Sequence, residues 1–186
     1  KMHQGQTRKS GLPFVSHCID VANILIDWNM DHTTVVSALL HDIVEDTEVK
    51  LSDIEEEFGS DVALLVDGVT KVENIAFRSK KHKQAENFTK LFLSLARDLR
   101  VIIIKFADRL NNMETIQYLS SKKQKEIALE TKEIFVPLAH RLGMAQLKWK
   151  LEDLSLKCLD LRAFNGIKKK IETSSRLNED ILSNAI

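Results

Sequence analysis

Apolar residues recur three and four positions apart along nearly the whole chain, and only six glycines and two prolines in 186 residues interrupt that rhythm. Such a period lines up one face of an α-helix, whereas a half-buried strand needs strict alternation. The chain is therefore predicted to be all-α, a compact bundle of about nine to eleven helices. Phe14–Met30 reads as one helix with Pro13 at its entrance, and Thr33–Asp46 as a second with a Thr as N-cap candidate. The stretch Leu51–Val72 splits at Gly59; Ser52 with Glu55 suits a capping box for the first half, and Ser60 can cap the second. Phe77–Asn87 is polar and basic, and is expected as a loop or a frayed helix start. The β-branched run Val101–Ile104 suits a buried strand by itself. No turn signal separates it from Phe106, Ala107, Leu110 and Met113, so one helix is predicted through all of them. Lys122–Gly143 forms another, with Pro137 expected to break or kink it, and Met144–Leu159 a further one. From Arg162 the chain turns charged, as in a terminal helix or the start of a linker.

Composition narrows the class. The chain is long enough for one domain, or one domain plus an appendage, with a core that needs no staples. Its 27 basic and 27 acidic side chains cancel, which disfavours direct nucleic-acid binding. Cys18 and Cys158 belong to no CxxC pattern, so a reducing cytoplasm suits them. No apolar run is long enough to span a membrane. The opening KMHQGQTRKSG lacks the apolar stretch of a signal peptide and reads as the interior of something longer.

Chemistry concentrates in Ser37–Glu48, SALLHDIVEDTE, where an apolar helix ends in His41-Asp42 and then Glu45-Asp46. Imidazole with carboxylate suits a borderline divalent metal such as Mn, Fe or Zn, and the missing thiolates disfavour a structural zinc site. Neighbouring helical positions point about 100° apart, so the pair can serve one ion only near a helix end or with help from other helices. His17, on the apolar stripe of its own helix, and Asp108, set in the most apolar helix, are candidates for that help. Each also has an ordinary reading. His17 and His41 can be satisfied core histidines, Asp42 a surface charge, and Asp108 half of an ion pair with Arg109 or another cation. One pocket where His17, His41, Asp42 and Asp108 converge accounts for all four at once. Glu45 lies i+4 from His41 and i+3 from Asp42, so it can face the same site and handle a water proton there. The ordinary reading of Glu45 and Asp46 is a solvated helix end, although acids there oppose the helix dipole. Asp108, Asn112 and Thr115 share a face at i, i+4 and i+7. Arg8-Lys9-Ser10 can clamp phosphate or stack on a purine, or be a solvated basic loop, and Arg78–Lys83 reads more simply as solvated surface.

HQGQTRKSGLPFVSH, ALLHDIVEDT, FGSDVALLVDGVTK, QAENF, IKFADRLNNMETI and PLAHRLGMAQLKWKLEDLS, in this order, resemble the hydrolase domain of the RelA/SpoT family, enzymes of the alarmone (p)ppGpp. The resemblance implies an HD-superfamily helical fold over residues 1–161. Residues 162–186 then resemble the helices that lead to a synthetase domain absent from this chain. It implies a hydrolase dependent on one Mn²⁺ ion that removes the 3′-pyrophosphate from ppGpp or pppGpp. Carried over by position, His17, His41, Asp42 and Asp108 match the metal ligands, and Glu45 and Asp46 the acids that orient or activate water. Arg8, Lys9, Ser10, Asn112 and Thr115 match substrate contacts. In long relatives, synthetase and regulatory domains would be the neighbours.

The chain departs from the usual pattern at some positions. Asn111 and Glu114 stand where the family commonly has His and Arg, Cys18 where Pro is usual, and Leu12 and Phe14 where Glu and Tyr are common. Exchange of a cation for Glu114 could weaken phosphate contacts or alter regulation. His140 and Arg141 in the Pro137–Gly143 signature are read as packing and ion-pair residues. Two rival readings share the metal site: a sensor that binds nucleotide without turnover, and an HD phosphohydrolase acting on another nucleotide.

Overall fold

The computed structural model describes residues 3, 5–70, 89–90 and 93–184, with side chains as far as Thr173 in the last helix. Among these residues the chain is helical throughout, and its sole β feature is an isolated bridge between Thr7 and Pro13. The helices are α1 Phe14–Asp27, α2 His32–Leu40, α3 Ile43–Asp46, α4 Leu51–Phe58, α5 Ser60–Val69 and α6 Arg100–Glu114. After a 3₁₀ turn, Ile116–Tyr118, come α7 Ser121–Glu130, a π-helical turn Thr131–Phe135, α8 Val136–Arg141, α9 Ala145–Leu159 and α10 Leu161–Asn184. The all-α expectation holds. The expected loop Phe77–Asn87, with its Arg78–Lys83 stretch, lies outside the described residues.

The chain divides into two compact units, residues 1–112 and 113–186. In the first, α1 packs on α2, and α2 and α4 pack on α5. Its core includes Val21, Leu25, Ala38, Leu65, Val66, Val69 and, on α6, Val101, Ile102, Ile104, Phe106 and Ala107. The Val, Leu, Ile and Phe side chains among these each stabilise the fold by about 1.5–3 kcal/mol on burial. That outweighs the fraction of a kcal/mol by which β-branched residues disfavour a helix, so Val101–Ile104 is helical as predicted. A satellite cluster of Ile54, Val62, Ala63 and Val66 takes in Val36, Leu40, Ile43 and Val44 from the end of α2 and from α3. In the second unit, α7, α8 and α10 pack on α9 around Ala128, Phe135, Ala139, Leu147 and Leu151.

Several local expectations are corrected. The predicted helix Thr33–Asp46 is broken at His41-Asp42, which separates α2 from α3. Its cap is Asp31, not a Thr: the carboxylate accepts from the Thr34 amide at 3.1 Å and from its hydroxyl at 2.6 Å. The capping device of α4 lies at Lys50 and Asp53 instead of Ser52 and Glu55, with Asp53 accepting from the Lys50 amide at 3.0 Å. Gly59 both ends α4 and precedes α5 at φ 89°, a conformation open to glycine, so Ser60 starts the helix without capping it. Pro137 lies in the first turn of α8, directly after a π-helical turn that interrupts the α-helical run. The π turn immediately upstream absorbs the missing N–H and the ring's bulk.

Candidate metal centre

The break between α2 and α3 is what makes a ligand site of His41-Asp42. Leu40 of α2 and Ile43 and Val44 of α3 are packed into the satellite cluster on either side of the pair. Asp42 adopts φ −101°, ψ −3°, and its carbonyl accepts from the amides of Glu45 and Asp46 at 3.1 and 3.0 Å to start α3. The side chains of His41 and Asp42 are thereby freed from the 100° divergence of a continuous helix. Nε2 of His41 lies 3.2 Å from Oδ2 of Asp42.

His17 reaches the same point from α1 and Asp108 from α6. Nε2 of His17 is 3.7 Å from Oδ2 of Asp42 and 3.4 Å from Oδ1 of Asp108, and the latter is 3.9 Å from Nε2 of His41. The two imidazoles meet edge to face with centroids 5.2 Å apart. Both histidines are buried, and one ligand atom from each of His17, His41 and Asp42 lies within 4.8 Å of the others. The four residues named from the sequence therefore converge in the first unit.

Hydrogen bonds and neighbouring charges set the protonation of these groups. Nδ1 of His41 lies 2.7 Å from the Ala38 carbonyl, which can only accept, so this nitrogen carries a hydrogen and in the neutral ring the lone pair is on Nε2. That Nε2 is buried and has no hydrogen-bond partner, a costly state for a polar atom unless an ion occupies the space it faces. Nδ1 of His17 lies 2.7 Å from Oδ1 of Asn111. Burial raises the Asp108 carboxyl, but Lys105, 3.6 Å away, and the two imidazoles outweigh it and hold the group well below the usual carboxylate range. Burial likewise raises Asp42, and the neighbouring His41 brings it below its ordinary value. Burial lowers the His41 imidazole, and the two carboxylates beside it raise it past that. Two imidazole nitrogens and two carboxylates held ionised fit a divalent cation of the Mn, Fe or Zn type. Any of the four could coordinate it.

Lys105, one turn before Asp108, is a cation beside it, in line with the ion pair with Arg109 or another cation that the sequence offered. Arg8 reaches in from the N-terminal loop, where it donates from Nη1 to Oδ1 of Asn111 at 3.2 Å and from Nη2 to Oδ1 of Asn112. Asn112 in turn donates to Asp108. The loop is closed by the Arg8 amide on the Leu12 carbonyl and the Gly11 amide on the Arg8 carbonyl, both at 2.9 Å, with Gly11 at φ 83°. It leaves Lys9 exposed and Ser10 half-buried, the hydroxyl accepting from the Leu12 amide. Glu45 is half-buried and Asp46 exposed on α3, where Gln6 donates to the Asp46 carbonyl at 2.9 Å. Thr115 belongs to the second unit and precedes the 3₁₀ turn. Glu114, in that unit, pairs with Lys150 at 2.6 Å, so the unusual acid has a local partner. The residues that sequence reasoning missed are Asn111 and Lys105. Asn111 was visible only as an unusual residue, and Lys105 only by its i,i+3 spacing from Asp108.

The chain spans about a quarter of the length of the curated relatives it matches. It is 43% identical over 180 residues to a guanosine-3′,5′-bis(diphosphate) 3′-pyrophosphohydrolase of Haemophilus influenzae, covering 97% of this chain and 27% of that protein. It is 45% identical over 172 residues to the bifunctional (p)ppGpp synthase/hydrolase SpoT of Escherichia coli, covering 92% and 24%. Among solved structures it resembles a metazoan ortholog of SpoT, described as hydrolysing ppGpp and as playing a role in starvation responses. That likeness has a TM-score of 0.60 at 27% identity and covers 82% of this chain and 86% of the other. The family described as HD domain matches residues 1–145, so this chain, with its His-Asp pair at a helix break, belongs to the HD domain family.

Proposed function

We propose that this chain is a (p)ppGpp 3′-pyrophosphohydrolase, converting ppGpp or pppGpp and water to GDP or GTP and pyrophosphate. The observation that carries the reading is the buried convergence of His17, His41, Asp42 and Asp108, with an orphaned imidazole nitrogen facing the two carboxylates. Relatives named for this hydrolysis support the choice of substrate. The four residues would hold one Mn²⁺, which when bound would supply Lewis-acid polarisation and positive charge against the developing negative charge. Glu45 and Asp46, one turn beyond the His-Asp pair, orient the attacking water and accept its proton. The water oxygen bonds to phosphorus, the bond from that phosphorus to the ribose 3′ oxygen breaks, and the 3′ oxygen takes up a proton. Arg8, Lys9 and Ser10 present charge and a hydroxyl to the nucleotide's phosphates, with Asn112 and Thr115 as further substrate contacts.

Residues 1–161 act as the hydrolase domain and 162–186 as the helical lead to further domains. The relatives' much greater length supports synthetase and regulatory domains as neighbours, and the absence of a membrane-crossing helix among the described residues is compatible with a cytoplasmic setting. Incubation with ppGpp and Mn²⁺, followed by nucleotide chromatography, tests the proposal. GDP and pyrophosphate in equal amounts are expected. Tight binding without products would overturn it in favour of a sensor.

A further inference from the structure

Asn111 is buried inside α6, at 5% exposure, and its side-chain oxygen sits between two nitrogens. One is Nη1 of Arg8 at 3.2 Å, the other Nδ1 of His17 at 2.7 Å. A guanidinium can only donate, so the amide must present its oxygen to Arg8, and the alternative flip is excluded. The same oxygen then faces His17, and an amide oxygen can only accept. Nδ1 of His17 must carry a hydrogen, and in the neutral ring the lone pair then lies on Nε2, towards Asp42 and Asp108. His41 reaches the same state through the Ala38 backbone carbonyl, which mutation cannot remove. For His17 the task falls to one side chain.

We infer that Asn111 is a positioning residue that, held by Arg8, locks His17 into the tautomer whose Nε2 can bind the metal. The inference rests on the metal centre proposed above and names what keeps that centre ready. An Asp at 111 would keep the accepting oxygen. A Leu of similar size would fill the space and lose it, leaving His17 free to place its hydrogen on either nitrogen. The loss of such an outer hydrogen bond weakens metal binding by about 10–100-fold.

The test uses the whole chain. Mn²⁺ affinity is measured by calorimetry for the wild type, Asn111→Leu and Asn111→Asp, with thermal melts as the check on folding. Long-range ¹H–¹⁵N correlation at alkaline pH reads the His17 tautomer in the metal-free proteins. Expected are an Nδ1–H signature in the wild type and Asn111→Asp, its loss in Asn111→Leu, and a 10–100-fold weaker Mn²⁺ affinity in Asn111→Leu alone. Unchanged affinity with an unchanged tautomer in Asn111→Leu would overturn the inference. Should that variant fail to fold, the wild type decides, since an Nε2–H tautomer at its His17 overturns the inference equally. A wild type that binds Mn²⁺ but leaves ppGpp intact defeats the proposed hydrolysis while leaving the role of Asn111 standing.

Discussion

Replacing Lys105 by Met separates the stability of the empty site from its affinity for metal. Nζ of Lys105 lies 3.6 Å from Oδ2 of Asp108, and its side chain is only 14% exposed. At that distance and an effective dielectric near 20, the Coulomb attraction is about 4–5 kcal/mol. Desolvation of the two groups offsets much of it, and the Met stem keeps the packing of the lysine methylenes. The expected net loss is about 1–3 kcal/mol, less than for a fully buried pair because both partners keep some exposure. For a chain of this length that lowers Tm by about 2–4 °C per kcal/mol. The sign with pH follows from Asp108, whose folded pKa lies below its unfolded one. Its contribution is present above the unfolded carboxylate range and is lost as pH falls through the folded value. The effect of the substitution is therefore full at neutral pH and fades in acid. Metal binding moves the other way, because the site loses a positive charge that repels a divalent ion. Differential scanning calorimetry with chelator and again with excess Mn²⁺ reads both: the chelated variant melts lower than the wild type, and its gain in Tm on adding Mn²⁺ is larger. Equal melting of the chelated proteins with equal gains would refute the electrostatic reasoning.

Asp31→Ala removes the N-cap of α2 and costs about 1 kcal/mol at neutral pH. The Thr34 hydrogen bond depresses the Asp31 carboxyl, so its stabilisation is present above the unfolded pKa and vanishes as pH falls through the folded one; denaturant melts of the two proteins should converge in acid. Gly68→Ala brings a Cβ within 2.7 Å of Cγ2 of Val101 and 3.2 Å of the Ser94 Cβ. The stiff valine cannot yield freely, so overpacking of about 1–3 kcal/mol exceeds the gain in helix propensity and Tm falls in a thermal melt. Burial, with Asp42 adding to it, pushes the Cys18 thiol up to about 12, so a thiol reagent should modify it in the native protein only on unfolding.

The helical period and the four donors were legible in the sequence because both are written in residue type and spacing. His17 and Asp108 betrayed themselves as polar groups on apolar stripes, where burial without a partner is expensive. The break at His41-Asp42 was not legible. Every residue from Thr33 to Asp46 tolerates a helix, and Leu40, Ile43 and Val44, which pack with Val36 onto α4 and α5, keep a helical spacing straight across the break. Asp31 gives little cap signal because the apolar pattern begins only at Val35, four residues later. Asn111 could not be assigned a task from sequence either. A buried Asn on a helix says only that it needs partners, and those come from Arg8 and His17, roughly a hundred positions away.

The central claim is that His17, His41, Asp42 and Asp108 together hold one divalent ion. Titration of the metal-free chain with Mn²⁺, followed by electron paramagnetic resonance of the free ion, tests it most directly. One tight site per chain is expected, abolished in His41→Ala and strongly weakened in Asp108→Asn, both checked for folding by circular dichroism. Folded variants that bind Mn²⁺ as the wild type does, or a wild type with no tight site, would contradict the account.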